Sequence, residues 1–162
     1  MKNIKLSNRL KALVELIDDE ASVADIGTDH GYLPVYLAQT GFSGRIIASD
    51  ISSASLSAAR RSADRYNVTD AITFLTVPGL DSIGPSDVNT IVIAGVGGET
   101  ILRILDEAPW TKLRAVKLIL QPQSKIDTLI KFLYDNGYEI VEIKTVPDKK
   151  KCYTVIHAIG SQ

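Results

Sequence analysis

Two aspartates and one glycine-bearing turn carry the clearest chemical signal in this 162-residue sequence. Asp25-Ile26-Gly27-Thr28-Asp29-His30-Gly31 follows an apolar run, and a second acid, Asp50, closes the next apolar run 25 positions after the first. In a dinucleotide fold such a turn aims backbone N–H groups and a helix N-terminus at an anionic pyrophosphate, where crowded acids are unfavourable. S-adenosylmethionine has no pyrophosphate; it presents a sulfonium cation, an ammonium and a carboxylate. Acids suit its methionine end, and Asp50 beside Ile51 would accept hydrogen bonds from the ribose hydroxyls. Asp25, Gly27, Asp50 and Ile51 are therefore expected at the cofactor. The competing roles are bracing of the turn for Asp25 and termination of a strand for Asp50.

The rest of the turn faces the reaction in this reading. Asp29 either narrows the pocket or sets a carboxylate close to the transferred methyl. His30 is either a satisfied turn histidine or a substrate contact, and Tyr32 either a stacking surface for a base or packing beneath the loop. His157, on an apolar terminal run, is structural. Further along, Val77-Pro78-Gly79-Leu80 falls where this kind of fold holds the cofactor's adenine, with Gly79 in the turn and Leu80 as the face contact. In Ile93-Ala94-Gly95-Val96-Gly97-Gly98-Glu99, Ala94 and Gly95 are expected beside the cofactor, while Gly97 and Gly98 let substrate approach the backbone closely. A phosphate loop would need a following Lys-Ser/Thr, which is absent, and no G-x-G-x-x-G follows the first strand. In Leu120-Gln121-Pro122-Gln123 the glutamines either reach the same mouth, Gln121 as a substrate contact, or serve the turn. No metal site is expected.

Alternating strands and helices must position these groups. Leu6, Leu10, Leu13, Val14 and Ile17 recur at helical spacing. Strands are predicted at 22–26, 45–49, 72–77, 90–94 and 116–120, with helices at 32–39, 54–66, 99–107 and 126–134 between and after them. Pro34 is tolerated in a first helical turn, and Asn136-Gly137 supplies a C-cap. The last two strands, 139–145 and 153–158, are joined by a link too short for a crossover helix, so they pair antiparallel. This pattern predicts an α/β, Rossmann-like domain spanning 1–162. Its seven-stranded sheet is mostly parallel with an antiparallel last strand and helices on both faces, and ligands bind at the carboxyl ends of the strands.

Composition narrows the class. With 45% hydrophobic residues the chain supports one core, its single cysteine excludes an internal disulfide, and no apolar run approaches the ~20 residues needed to cross a bilayer. The charged N-terminus lacks a signal peptide's apolar core, and a cytoplasmic setting is expected. A net charge of −1 lacks the basic excess of a dedicated nucleic-acid-binding domain. Two local clusters, Arg60/Arg61/Arg65 and Lys149/Lys150/Lys151, are either solvated charge or a grip on phosphate.

Taken together, the runs Asp25 to Pro34, Ile93 to Gly98 and Leu118 to Gln123 resemble the bacterial tRNA (adenine-22-N1)-methyltransferase family, in order and spacing from about Leu6 to Ile159. The resemblance implies a class I methyltransferase fold, S-adenosylmethionine as donor and N1 of a tRNA adenine as acceptor. That nitrogen keeps an in-plane lone pair and needs no general base, so Asp29 and Tyr32 are expected to orient and stabilise rather than deprotonate. Enzymes attacking an exocyclic amine often carry Asn/Asp-Pro-Pro-aromatic after the fourth strand; Ala94-Gly95-Val96-Gly97 replaces it here. Two departures stand out: Pro78 takes a position where a small polar residue is usual, and the family's helical C-terminal region has no counterpart before Gln162. Weak tRNA binding is the expected consequence. The alternatives are a small-molecule methyltransferase, or a non-catalytic module that only binds S-adenosylmethionine.

Overall fold

The computed structural model describes residues 3–162, so Met1 and Lys2 of the expected 1–162 domain lie outside the described residues. Chain order runs α1 (Asn8–Val14), β1 (Val23–Ile26), α2 (Tyr32–Gln39), β2 (Ile46–Asp50), α3 (Ser53–Arg65), β3 (Thr73–Thr76) and β4 (Thr90–Val96). It continues through α4 (Gly98–Asp106), β5 (Lys117–Pro122), α5 (Ile126–Asp135), β6 (Tyr138–Asp148) and β7 (Lys151–Gly160). The strands form one sheet in the order β3-β2-β1-β4-β5-β7-β6. All pairs from β3 to β5 are parallel, and β7 is antiparallel to both its neighbours, as the sequence predicts.

Continuous apolar runs make the central strands because both faces of the sheet are covered. Every residue of β1 and β2 is buried. Successive side chains point to opposite faces, so Ile91 and Ile93 join Leu118, Leu120, Ile101, Leu105, Leu129 and Leu133 beneath α4 and α5. Val92 and Ile119 join Val23, Ile46, Leu13, Leu33 and Leu37 beneath α1 and α2. The chain winds outward from β1 to β3, then crosses back to place β4 on the other side of β1. That reversal is the switch point where such sheets bind ligands.

Four elements differ from expectation for local reasons. The first helix is shorter than its apolar stripe: Ser7 caps it by accepting from the Leu10 N–H, while Leu6 and Ile17 reach the core from outside the helix. Strand β4 runs two residues past Ala94, with a register shift at Gly95, whose φ is +76°. The two terminal strands are longer than predicted, pairing from Tyr138 with Gly160 out to Asp148 with Lys151. Pro147 is accommodated because β6 is an edge strand. Among the described residues, no helix is long and apolar enough to cross a membrane.

Candidate functional site

A cavity of about 530 Å³ opens at the carboxyl ends of β1, β2 and β4, at the switch point. Asp25 is drawn into its wall from β1 with only 7% of its surface exposed, accepting one hydrogen bond from Thr28 Oγ1 at 2.9 Å. Burial pushes its carboxyl up to about 7, with a smaller upward push from the Asp50 carboxylate; the Thr28 bond and the Arg9 guanidinium act in the opposite direction. Near neutrality the acid therefore sits poised between charged and neutral, and a cation lodged in the cavity would draw it to the carboxylate.

Asp50 ends β2 on the same cavity and ties two turns together. Its Oδ2 accepts from the Asp29 N–H at 3.1 Å and its Oδ1 from the Ser52 N–H at 2.9 Å, just before α3. Each oxygen keeps a second lone pair for a ligand hydroxyl. The bracing and binding roles of this residue are thus compatible. Gly27 lines the cavity at φ +72° with open space where a Cβ would stand, so its backbone conformation, not crowding, calls for glycine.

Asp29, His30 and Tyr32 form the rim. Asp29 adopts φ +56°, uncommon outside glycine, which turns its side chain outward. Its Oδ2 stands 3.8 Å from His30 Nε2, both side chains being mostly exposed. The His30 and Tyr32 rings stack with centroids 5.4 Å apart and planes 20° from parallel. Tyr32 keeps 44% of its surface exposed, so it does not pack beneath the loop.

Four expected contacts are relocated. Leu80 does not line the cavity: the turn in which the Asp81 N–H bonds the Pro78 carbonyl folds it into the core with Ile47, Ile83 and Val88. Val77, Pro78 and Gly79 line the cavity instead, with Gly79 against Ile104, and with Ile51 they give this part of the lining an apolar character suited to a flat base. Gln121 is fully buried. Its Oε1 accepts from the Gly95 N–H and from Arg9 Nη1, both at 3.1 Å, and its Nε2 donates to the Pro122 carbonyl, so it is a strut under the cavity with its polar atoms bonded within the chain. A Cβ on Gly98 would stand 2.6 Å from the Ser124 carbonyl oxygen and 2.5 Å from that of Lys125, and one on Gly97 2.9 Å from Ser124 Oγ. The group that approaches these glycines is the chain's own loop after β5. Ala94 and Gly95, by contrast, do line the cavity.

Arg9 is a cavity residue that the sequence pattern hides. It comes from α1, lies with its guanidinium carbon 5.7 Å from the centroid of the Tyr153 ring, and reaches Gln121 across 112 positions of chain. From its place in an amphipathic helix it reads as solvated charge. Gln123, one of the two glutamines expected at the mouth, lines the cavity after β5, and Arg103 of α4 and Glu107 at its C-cap line it without a sequence signal beyond their polarity.

Residues 6–156 match the methyltransferase domain family. The tRNA (adenine(22)-N(1))-methyltransferase of Bacillus subtilis is 32% identical over 158 residues, which cover 98% of this chain and 66% of the relative, so the chain spans just under two thirds of that protein. The crystal structure of the B. subtilis m1A22 tRNA methyltransferase TrmK superposes with a TM-score of 0.89 at 30% identity, over 98% of this chain and 68% of that one. The Streptococcus pneumoniae protein Sp1610, solved in complex with S-adenosyl-L-methionine, gives 0.89 at 31% identity over 98% and 74%. Mycoplasma capricolum TrmK, solved with S-adenosyl-homocysteine, gives 0.83 at 26% identity over 97% and 70%. With the motifs, the sheet order and the cavity in agreement, the chain belongs to the methyltransferase domain family and, within it, to the tRNA (adenine-22-N1)-methyltransferases.

Proposed function

We propose that this chain binds S-adenosylmethionine in the switch-point cavity and methylates N1 of an adenine in tRNA, in the cytoplasm. The observation that carries the reading is the pair of acids lining one cavity, with Asp25 raised to about 7 by burial there. The residues fit the cofactor in three places. Asp25 suits an ammonium, Asp50 has lone pairs left for two hydroxyls, and the apolar lining of Ile51, Val77 and Ile104 suits an adenine face. When bound, the cofactor supplies an electrophilic methyl on a sulfonium.

The chain's own residues then do the positioning. Adenine N1 needs no base, so orientation is the main contribution, worth roughly 7–11 kcal/mol of barrier when nucleophile and electrophile are held in line. A tRNA adenine must be unpaired or extruded to expose N1, at a cost of a few kcal/mol. The His30–Tyr32 stack at the rim offers a flat surface that recovers part of that cost. As the N1–methyl bond forms, positive charge passes to the purine ring, and the Asp29 carboxylate at the rim stabilises it there.

The test is methyl transfer from labelled S-adenosylmethionine to total tRNA, followed by nucleoside analysis. Label recovered as 1-methyladenosine supports the reading. Label confined to small molecules, or none beyond bound cofactor, would overturn it.

A further inference from the structure

We propose that the β6–β7 hairpin is an RNA-docking arm, its lysine tip gripping the phosphate backbone of the strand that delivers the target base to the cavity. This rests on the tRNA reading above. The sheet pairs Leu120 of β5 with Ile156 of β7, and Lys151 stands five residues further along β7. At about 3.4 Å per residue that carries the tip about 17 Å past the last position of β5 that pairs with β7. The projection is toward the carboxyl ends of the parallel strands, where the cavity opens, because β6 runs in the same direction as β5.

The tip is basic and unpaired by acids. Lys149, Lys150 and Lys151 are exposed, and no ion pair joins them to an acid among the described residues. The nearest acid in sequence, Asp148, is already engaged: its Oδ2 accepts from the Arg9 N–H at 3.1 Å. Exposed Lys125 follows β5 and so lies at the same, carboxyl end of the sheet. A solubilising hairpin would need no particular link to the site, but this one is anchored to the cavity wall. Val146 and Val155, in its projecting half, are buried in the core with Leu13 of α1. Arg9 holds the distal end of the hairpin through Asp148, the strand partner of Lys151, and through Tyr153, while its side chain lines the cavity. An anionic polymer on the tip therefore runs past Arg9 to the His30–Tyr32 rim. The stacked aromatic pair on the same face favours a nucleic acid over an acidic protein as the occupant, because a base can use both surfaces. The other basic cluster lies at the far edge: the Arg60 guanidinium carbon sits 4.7 Å from the centroid of the Phe74 ring of β3.

The experiment measures binding of labelled tRNA by fluorescence anisotropy from 50 to 200 mM salt, with kcat and KM for tRNA. It compares the full chain, a Lys149→Ala/Lys150→Ala/Lys151→Ala variant and an Arg60→Ala/Arg61→Ala/Arg65→Ala variant. The lysine variant should lose about 2–3 from the slope of log affinity against log salt, as expected for three phosphate contacts at roughly 0.7–0.9 each. Its KM for tRNA should rise about tenfold or more with kcat within about twofold, since the contacts lie remote from the reacting atoms. Its affinity for S-adenosylmethionine should not change, which shows that the cavity is intact. An unchanged slope and KM in the lysine variant, or a loss found only in the arginine variant, would overturn the arm. Binding with slope loss but no methyl transfer by the full chain would uphold the arm and sink the substrate reading. No tRNA binding at all would sink both.

Discussion

Asp25 is where the physics of the site is most exposed to test. Its folded value of about 7 lies above the ordinary 3.8, so between those values the folded state binds more protons than the unfolded one. Stability therefore falls as pH rises through that window and levels off above about 7, the whole effect being on the order of 4 kcal/mol. Asp25→Asn should flatten this dependence and leave the free protein more stable than wild type at pH 8, read from urea midpoints at several pH values. The sign reverses for a cationic ligand, which prefers the carboxylate. Affinity for S-adenosylmethionine should rise roughly tenfold between pH 6 and pH 8 in wild type and stay nearly flat in Asp25→Asn. A flat wild-type profile by calorimetry would mean that Asp25 meets no cation. Asp29 sits at the rim with its side chain largely exposed, so Asp29→Asn should lower turnover and leave cofactor affinity within a few-fold. Equal turnover at saturating substrate would remove it from the reaction. At this scale the sequence showed the acids, because two carboxylates around one turn have few uses. It did not show Arg9 or the strut role of Gln121, because their contact joins residues 112 apart and leaves no local pattern.

Elements were the most legible level. Strands buried on both faces read as unbroken apolar runs, and the helices between them carry a 3.6-residue stripe. Boundaries failed where a local device intervened: Ser7 starting α1 late, the bulge at Gly95 prolonging β4, and Pro147 tolerated at an edge. Glycines were misread for a related reason, since sequence says that a Cβ is missing but not what occupies its place. Gly97 and Gly98 make room for the loop after β5, and this separates crowding from backbone strain. Gly98→Ala must displace the carbonyls of Ser124 and Lys125, an overpacking cost of about 1–3 kcal/mol. Gly27→Ala has open space and incurs only the left-handed backbone penalty, about 1–2 kcal/mol. Gly98→Ala should accordingly lose the more turnover as well, because its loop carries Gln123 on the cavity wall, whereas Gly27→Ala should lower Tm by a few degrees. Equal effects on Tm and turnover from both variants would contradict this assignment of their roles.

Across the whole molecule the cavity draws residues from position 9 to position 123 onto one end of the sheet, so its integrity reports on the fold and occupancy should report back. A ligand at a hundred times its Kd adds about 2.7 kcal/mol to stability. For a chain of this size S-adenosylmethionine or S-adenosylhomocysteine should then raise Tm by about 5–11 °C in thermal denaturation. NAD at equal concentration should not, given the acids in the first turn. The charge distribution is also a whole-molecule property. A net charge of −1 conceals a basic hairpin tip at one end of the sheet, so the sum does not describe what each surface presents. The proposed function has this assembly present a base edge with a ring-nitrogen lone pair beside the methyl. The most direct test is methyl transfer to two otherwise identical tRNAs, one with adenine at the methylated position and one with 1-deazaadenine, which keeps the exocyclic amine and the stacking face but replaces N1 with C–H. Transfer to the first and none to the second, with similar binding of both, is the expected result; transfer to both at comparable rates would show that the attacking atom is not N1.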